Sequence, residues 1–215
     1  MNARLIDVMD LSCPWALIRS PIDMDVLLVL RGTTRPLTGR GVARLVRNGS
    51  QPTVNASLRR LTEEGLVRAE EAGNAYLHTF NREHLGAPAI ELLAGIRSEL
   101  ERRLRAEIAR WEIAPAHASI FGSAARGEGD TRSDIDVFVV RPARVSEDDP
   151  RWRAQLERLS DHVYEWTGNH AGLSEVSAAD VRRLRRERPP VVEELRRGAI
   201  TLAGPAPTEL LKATA

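Results

Sequence analysis

The chain has 215 residues, a net charge of +1 and 42% hydrophobic residues, enough for one large domain or two modest domains with buried cores. Its one cysteine, Cys13, excludes an intrachain disulfide and argues against a cysteine-based zinc site. The basic residues are almost all arginine, with Lys212 the only lysine, a bias that a GC-rich genome explains as well as a demand for guanidinium chemistry. Since no apolar run is long enough to cross a bilayer, we expect a soluble, cytoplasmic protein with no membrane partner.

Helical spacing of apolar residues predicts three helices after a leader at residues 1–20. The first spans Pro21–Arg31, the second carries Leu37, Val42, Leu45 and Val46 and ends at Asn48-Gly49, and the third opens at Ser50-Gln51-Pro52-Thr53. Alternating residues on both sides of Ala72-Gly73-Asn74 then predict a β-hairpin that ends at Phe80. Three helices followed by a hairpin resemble a winged helix-turn-helix domain, which we place at residues 21–85.

That resemblance implies a DNA-binding surface on the second and third helices. The two helices carry five arginines and no acid between Thr38 and Thr62. The candidate contacts to bases and phosphates are Arg44, Arg47, Gln51, Thr53, Asn55, Arg59 and Arg60. The alternative is a packing or dimerisation module whose arginines form a solvated face, because fold alone does not establish DNA binding.

A long amphipathic segment follows, with apolar residues near helical spacing from Ile90 to Trp111. We place a linker helix at residues 86–112. Its apolar face either packs along the second domain or pairs with the same helix of another copy in a homodimer, and the spacing does not choose between these two arrangements.

The stretch Ile120–Val140 combines two apolar runs, a small-residue turn and two acids. In a strand successive side chains point to opposite faces, so Asp134 and Asp136 are expected on one face, with Ile135 and Val137 turned into the core. Paired carboxylates repel each other unless a cation lies between them, and Mg²⁺ prefers oxygen ligands of this kind. Gly122-Ser123 ends the first strand, where backbone N–H groups at a helix start can approach a phosphate closely.

The motif Gly122-Ser123-Ala124-Ala125-Arg126-Gly127, followed by Ser133-Asp134-Ile135-Asp136, resembles the signature of the minimal nucleotidyltransferases of the DNA polymerase beta-like superfamily. The resemblance extends over about residues 115–204, and we place this domain at residues 113–205 with a tail at 206–215. The fold class that follows is α+β: a winged helix-turn-helix domain, a linker helix, and an α/β nucleotidyltransferase domain with a small mixed sheet.

The resemblance also implies roles for individual residues. Asp134 and Asp136 would hold Mg²⁺ or Mn²⁺, and a third carboxylate would come from the next strand, where Glu175 is the candidate. The alternative is that Glu175 is a surface residue of that strand. Gly122, Ser123, Arg126 and Ser133 would bind the nucleotide, with Arg126 and Arg132 either neutralising pyrophosphate or forming loop salt bridges. Ser133 has the alternative role of capping the turn before the second strand.

Two functions of different class are consistent with these features. The first is a metal-dependent transferase that moves AMP or another NMP from ATP or another NTP to a hydroxyl of a protein or nucleic-acid acceptor, coupled to DNA binding in a toxin-antitoxin or regulatory setting. The second is a DNA-binding transcriptional regulator whose nucleotidyltransferase fold senses nucleotide without catalysis.

Overall fold

The computed structural model describes residues 18–47, 49–128 and 133–212. The fold is α+β, and the chain divides into two compact units, Met1–Ile96 and Arg97–Ala215. Among the residues described, no helix has the length and apolar character needed to span a bilayer. The predicted leader lies in large part outside the described residues, as do Asn48 and Arg132.

The first unit contains three short helices and three strands, and it ends within a long helix. These elements are α1 (Pro21–Arg31), β1 (Leu37–Thr38), α2 (Gly39–Leu45), α3 (Gln51–Glu63), β2 (Val67–Ala72), β3 (Ala75–Phe80) and the first part of α4 (Ala87–Ile108). The strands form an antiparallel sheet in the order β1-β3-β2. The predicted first and third helices and the hairpin are therefore confirmed.

The prediction for the second helix was wrong at its beginning. Leu37 lies in β1, where it pairs with His78, and α2 starts only at Gly39. The Thr38 hydroxyl accepts the backbone N–H of Gly41 at 3.1 Å, so the helix is capped immediately after the strand. A two-residue strand is too short for alternation to distinguish it from the adjoining helical spacing.

The second unit contains the rest of α4 and a four-stranded sheet with helices on both faces. Its further elements are β4 (His117–Ile120), α5 (Gly122–Arg126), β5 (Ile135–Arg141), α6 (Pro150–Thr167), β6 (Ala171–Ser177), α7 (Asp180–Glu187), α8 (Pro190–Gly198), β7 (Ile200–Ala203) and α9 (Pro207–Leu210). The predicted strand at 171–177 is confirmed, as are a closing helix and a short strand near the end of the chain.

The sheet is mixed, with strand order β6-β5-β4-β7. Strands β5 and β6 are parallel, whereas β4 runs antiparallel to β5 and to β7. The carboxyl end of β4 therefore meets the amino ends of β5 and β6 at one edge of the sheet. We call it the site edge.

Alternation along β5 divides the second unit into two cores. Val137 and Val139 pack on one face with Trp152 and Leu159 of α6. Phe138 belongs to the core on the opposite face, which helices α7, α8 and α9 help to cover. The middle of β5 is thus buried on both faces, and its first two residues and its last one are half-buried.

Candidate functional site

The two aspartates lie together at the site edge, although not both within the strand. Strand β5 begins at Ile135, so Asp134 lies in the segment just before it and is exposed, while Asp136 is half-buried. The prediction of two acids within one strand was therefore wrong by one residue. The acids are nevertheless close together, since a Cβ built on Gly172 would lie within 4 Å of both side chains.

Asp136 lies between two glycines. Gly122 has a φ of +67°, and a Cβ built there would collide with Asp136 Oδ2. Gly172 is the partner of Asp136 in the β5–β6 register, and a Cβ there would lie 2.7 Å from Asp136 Oδ1 and 3.6 Å from the Cβ of Asp134. The two missing side chains thus leave the space that the carboxylate occupies.

Partial burial raises the pKa of Asp136 above its ordinary value, and the negative charges of Asp134 and Glu194 raise it further. Each of these causes disfavours the ionised form, and a cation bound at the pair would offset them. Among the described residues no group of three or more His, Cys, Asp or Glu side chains is arranged to hold a metal. Two carboxylates nevertheless fit Mg²⁺, which commonly takes one or two carboxylates and completes its shell with water and substrate phosphate oxygens.

Gly122 and Ser123 lie beside the aspartates because they begin α5 directly after β4. Phe121, the residue before them, donates its backbone N–H to the Asp136 carbonyl oxygen at 3.0 Å. The turn into α5 is therefore tied to β5 at the level of the aspartates. The structure brings Gly122, Ser123, Asp134 and Asp136 to one edge of the sheet.

Arg126 is held by two acids. Its Nη1 donates to Glu194 of α8 at 2.5 Å and its Nε donates to Glu128 at 2.6 Å. These bonds, first the one to Glu128, raise the pKa of the Arg126 guanidinium. Of the two roles considered for Arg126, the structure contains the loop salt bridge.

Ser133 lies at the same edge. Its carbonyl oxygen accepts a bond from the Asn169 side chain at 3.0 Å. The turn that follows α6 is thereby fixed to the segment carrying Asp134.

Glu175 does not lie with the aspartates. It pairs with Val139 in the parallel register, whereas Asp136 pairs with Gly172, so Glu175 and Asp136 point to opposite faces of the sheet. Its Oε1 accepts from Arg141 Nε at 2.7 Å, in a pair whose side chains are 11% and 19% exposed. Glu175 lies in the predicted strand and shares a face with Leu173 as predicted, but the register turns that face away from Asp136, so its predicted role as a third ligand was wrong.

Two residues of this site escaped the sequence interpretation. Gly172 could have been identified from the sequence, because an isolated glycine inside a strand often marks a close approach of another group. Glu194 of α8 had no such signal, since its proximity to Asp136 and Arg126 depends on how α8 packs against the sheet.

The first unit exposes most of the predicted DNA contacts. Arg44, Arg47, Thr53, Asn55 and Arg59 are exposed, and Gln51 is half-buried. Gln51 donates to Asn55 at 2.9 Å on the outer face of α3. A groove of about 1920 Å³ between α3 and the hairpin is lined in part by Gln51, Asn55 and Arg59.

Arg60 does not belong to that exposed surface. It forms an ion pair with Asp23 of α1, whose side chain is fully buried and also accepts the Ser57 hydroxyl at 2.7 Å. Arg60 thus neutralises a buried acid, and the prediction that it faces nucleic acid was wrong. Thr53 has a local role, because its hydroxyl bonds to that of Ser50 at 2.7 Å where α3 begins.

Comparison with models of protein families matches residues 96–195 to the nucleotidyltransferase domain. The match spans β4, β5 and β6 with both aspartates, and it supports the nucleotidyltransferase superfamily for this part of the chain. Neither the curated proteins nor the solved structures gave a match.

Proposed function

We propose that the second unit is a Mg²⁺-dependent nucleotidyltransferase that moves NMP, AMP by preference, from an NTP to a hydroxyl of a protein or nucleic acid. The observation that carries the proposal is the meeting of Asp134 and Asp136 with Gly122 and Ser123 at the site edge. Mg²⁺ held by the two aspartates would neutralise the triphosphate and lower the pKa of the acceptor hydroxyl.

The chain's own residues have separate tasks in this proposal. Gly122 and Ser123 bind the outer phosphates through backbone N–H and hydroxyl groups. Gly122 and Gly172 position the Asp136 carboxylate by leaving it room. Arg126 pairs with Glu194 and Glu128, and on nucleotide binding it would exchange one of these carboxylates for a phosphate oxygen, which accepts from a guanidinium in the same way.

The test is incubation with α-labelled NTPs, Mg²⁺ and cell lysate, comparing the natural chain with the double variant Asp134→Ala/Asp136→Ala. We expect labelled protein or nucleic acid with the natural chain only. Glu175→Gln is the matched control, because it removes an acid from the neighbouring strand on the opposite face. Equal label transfer by the double variant would remove the catalytic assignment.

We propose further that the first unit is a winged helix-turn-helix domain that binds DNA. The order α1-β1-α2-α3-β2-β3, the sheet order β1-β3-β2 and the exposed polar face of α3 support this. Coupled to nucleotide transfer, such a domain fits a toxin-antitoxin or regulatory setting.

A nucleotide-sensing regulator is the second candidate. The observation that favours it is that β6 presents Gly172, Ser174 and Val176 on the face of Asp136, with no acid there within the described strand. Nucleotide-dependent DNA binding, without label transfer to any component of the lysate, would select this candidate over the enzyme.

A further inference from the structure

A pair of stacked aromatic rings lies where α6 leads into β6. Tyr164, near the end of α6, stacks on His170 with ring centroids 5.2 Å apart and planes inclined by 23°. Both residues are exposed, Tyr164 with 54% of its surface accessible. Two stacked rings that leave an accessible aromatic surface offer a place for a further planar group.

The pair is joined to the segment that carries Asp134. The His170 carbonyl oxygen accepts the backbone N–H of Ile135 at 2.8 Å, and the neighbouring Asn169 side chain donates to the Ser133 carbonyl. These two bonds lie on either side of Asp134. Because adjacent strands are about 5 Å apart, His170 lies about one strand spacing from Asp134 at the site edge.

At the strand ends the position suits the base of a nucleotide whose phosphates lie at Gly122 and Ser123, although α6 itself packs on the sheet face of Val137, opposite that of Asp136. Those residues follow β4, and His170 precedes β6, so the two places are separated by two strand spacings, about 10 Å. An extended nucleoside triphosphate covers such a distance, with its inner phosphate near the aspartates on β5.

The charge around the rings favours a free nucleotide over a nucleic-acid strand. Asp161 and Glu165 are exposed on α6, one turn before Tyr164 and directly after it. A phosphodiester chain crossing the rings would be repelled by these acids, whereas an uncharged base would not. Aromatic side chains stack on every base, so such a platform tolerates different bases.

We propose that Tyr164 and His170 form a stacking platform for the nucleobase of the NTP used by the second unit. The inference rests on the proposed nucleotide site and adds to it a subsite for the base. Binding of the phosphates and of the metal does not require these two rings, and the proposal gives them a ligand.

The experiment measures equilibrium binding of ATP and of tripolyphosphate, each with Mg²⁺, to the full chain by calorimetry. Tripolyphosphate has the phosphates without the base, so it reports the phosphate site alone. The variants are Tyr164→Ala, His170→Ala and Tyr164→Phe, which keeps an aromatic ring. Tyr76→Ala is the matched control, because Tyr76 is the other tyrosine of the chain, is also 54% exposed and lies in the first unit.

We expect the Kd for ATP to rise about tenfold in Tyr164→Ala and His170→Ala, as the loss of one base–aromatic stack predicts. It should change less than about twofold in Tyr164→Phe and Tyr76→Ala, and the Kd for tripolyphosphate should stay the same throughout. Equal weakening of ATP and tripolyphosphate would show that the rings only support the fold and would overturn the platform.

Other results are distinguishable from that one. If the natural chain binds both ligands equally, or ATP affinity survives Tyr164→Ala, the base platform fails while the phosphate and metal site stands. If the same calorimetry with a single-stranded oligonucleotide shows weaker binding in Tyr164→Ala while ATP binding is unchanged, the platform for the NTP is also overturned. If the natural chain binds neither ATP nor tripolyphosphate, the proposed nucleotide site itself falls.

Discussion

Alanine substitution of three glycines in the second unit can separate two effects. One is the backbone strain of a positive φ, and the other is crowding of the Asp136 carboxylate by an added Cβ. Gly168 has a φ of +74° and open space around it, so alanine there adds strain alone. Gly172→Ala adds crowding against Asp136 without a positive φ, and Gly122→Ala adds both effects. The three alanine variants therefore isolate what crowding does to the carboxylate.

The magnitudes follow from the geometry. A left-handed backbone costs an L-residue about 1–2 kcal/mol, so Gly168→Ala and Gly122→Ala should each lose at least that much unfolding free energy. In Gly172→Ala, the added Cβ would lie 2.7 Å from Asp136 Oδ1, whereas ordinary van der Waals contact starts at 3.4 Å. The carboxylate therefore has to move away by the difference. A functional group must be held within roughly 0.5 Å of its productive position, and this shift of Asp136 is larger. We therefore expect the metal affinity and the rate of nucleotide transfer to fall at least about tenfold.

Two measurements check this prediction. Urea unfolding followed by tryptophan fluorescence reports mainly on the second unit, which contains three of the four tryptophans, Trp111, Trp152 and Trp166. Calorimetric titration with Mn²⁺ reports on the aspartates. Gly168→Ala should lose stability and keep its Mn²⁺ affinity, whereas Gly172→Ala should lose Mn²⁺ affinity. The reasoning is refuted if Gly172→Ala binds Mn²⁺ as tightly as the natural chain.

Three further predictions concern single residues. Glu175→Gln should leave the Mn²⁺ affinity unchanged. It should lower the unfolding free energy by about 1–3 kcal/mol in urea titrations, because Arg141 loses a charged partner. A fall in Mn²⁺ affinity would show that Glu175 is a metal ligand after all. Burial lowers the pKa of His117, so the stability that depends on its neutral form is complete above about pH 6.5 and is lost as the pH falls through the lowered value. The difference in unfolding free energy between about pH 7.5 and about pH 5 should shrink in His117→Gln, and an unchanged difference contradicts this assignment. Arg60→Ala should destabilise the first unit by about 3–5 kcal/mol in thermal or urea unfolding, because Asp23 is left buried without its cation. Arg59 is the exposed neighbour, so Arg59→Ala should leave stability nearly unchanged. It should also reduce the slope of log K against log salt concentration for duplex binding by about one unit. Equal stabilities of Arg60→Ala and Arg59→Ala would be inconsistent with the buried ion pair.

The His117 prediction depends on a defined tautomer. Nδ1 lies 2.8 Å from the Pro205 carbonyl oxygen, which can only accept, so Nδ1 carries the proton. Nε2 of the neutral ring then accepts the Ser119 hydroxyl at 3.0 Å. Protonation at Nε2 would place a positive charge inside the core, where burial disfavours it, which is the physical reason for the loss of stability in acid.

Much of the candidate site was predictable because its signals are local. Asp134, Asp136, Gly122 and Ser123 belong to one short stretch in which apolar runs on both sides predict strands. The helices and the hairpin of the first unit were likewise readable from spacing, apart from a two-residue strand that alternation cannot reveal. Arg60 is the clearest failure there, since the exposed Arg59 precedes it and its partner, Asp23, lies on another helix.

The sequence by itself determined which carboxylates and glycines are available and that strands would carry them to neighbouring positions. Only the tertiary structure decided which faces they share, because the pairing register of β5 and β6 sends Glu175 to the opposite face and brings Gly172 to Asp136. The same register brings the backbone of His170, whose ring stacks on Tyr164, next to the segment that carries Asp134. A shift of one residue in the pairing register turns every side chain of a strand to the other face of the sheet. Long-range packing sets that register, and local spacing does not.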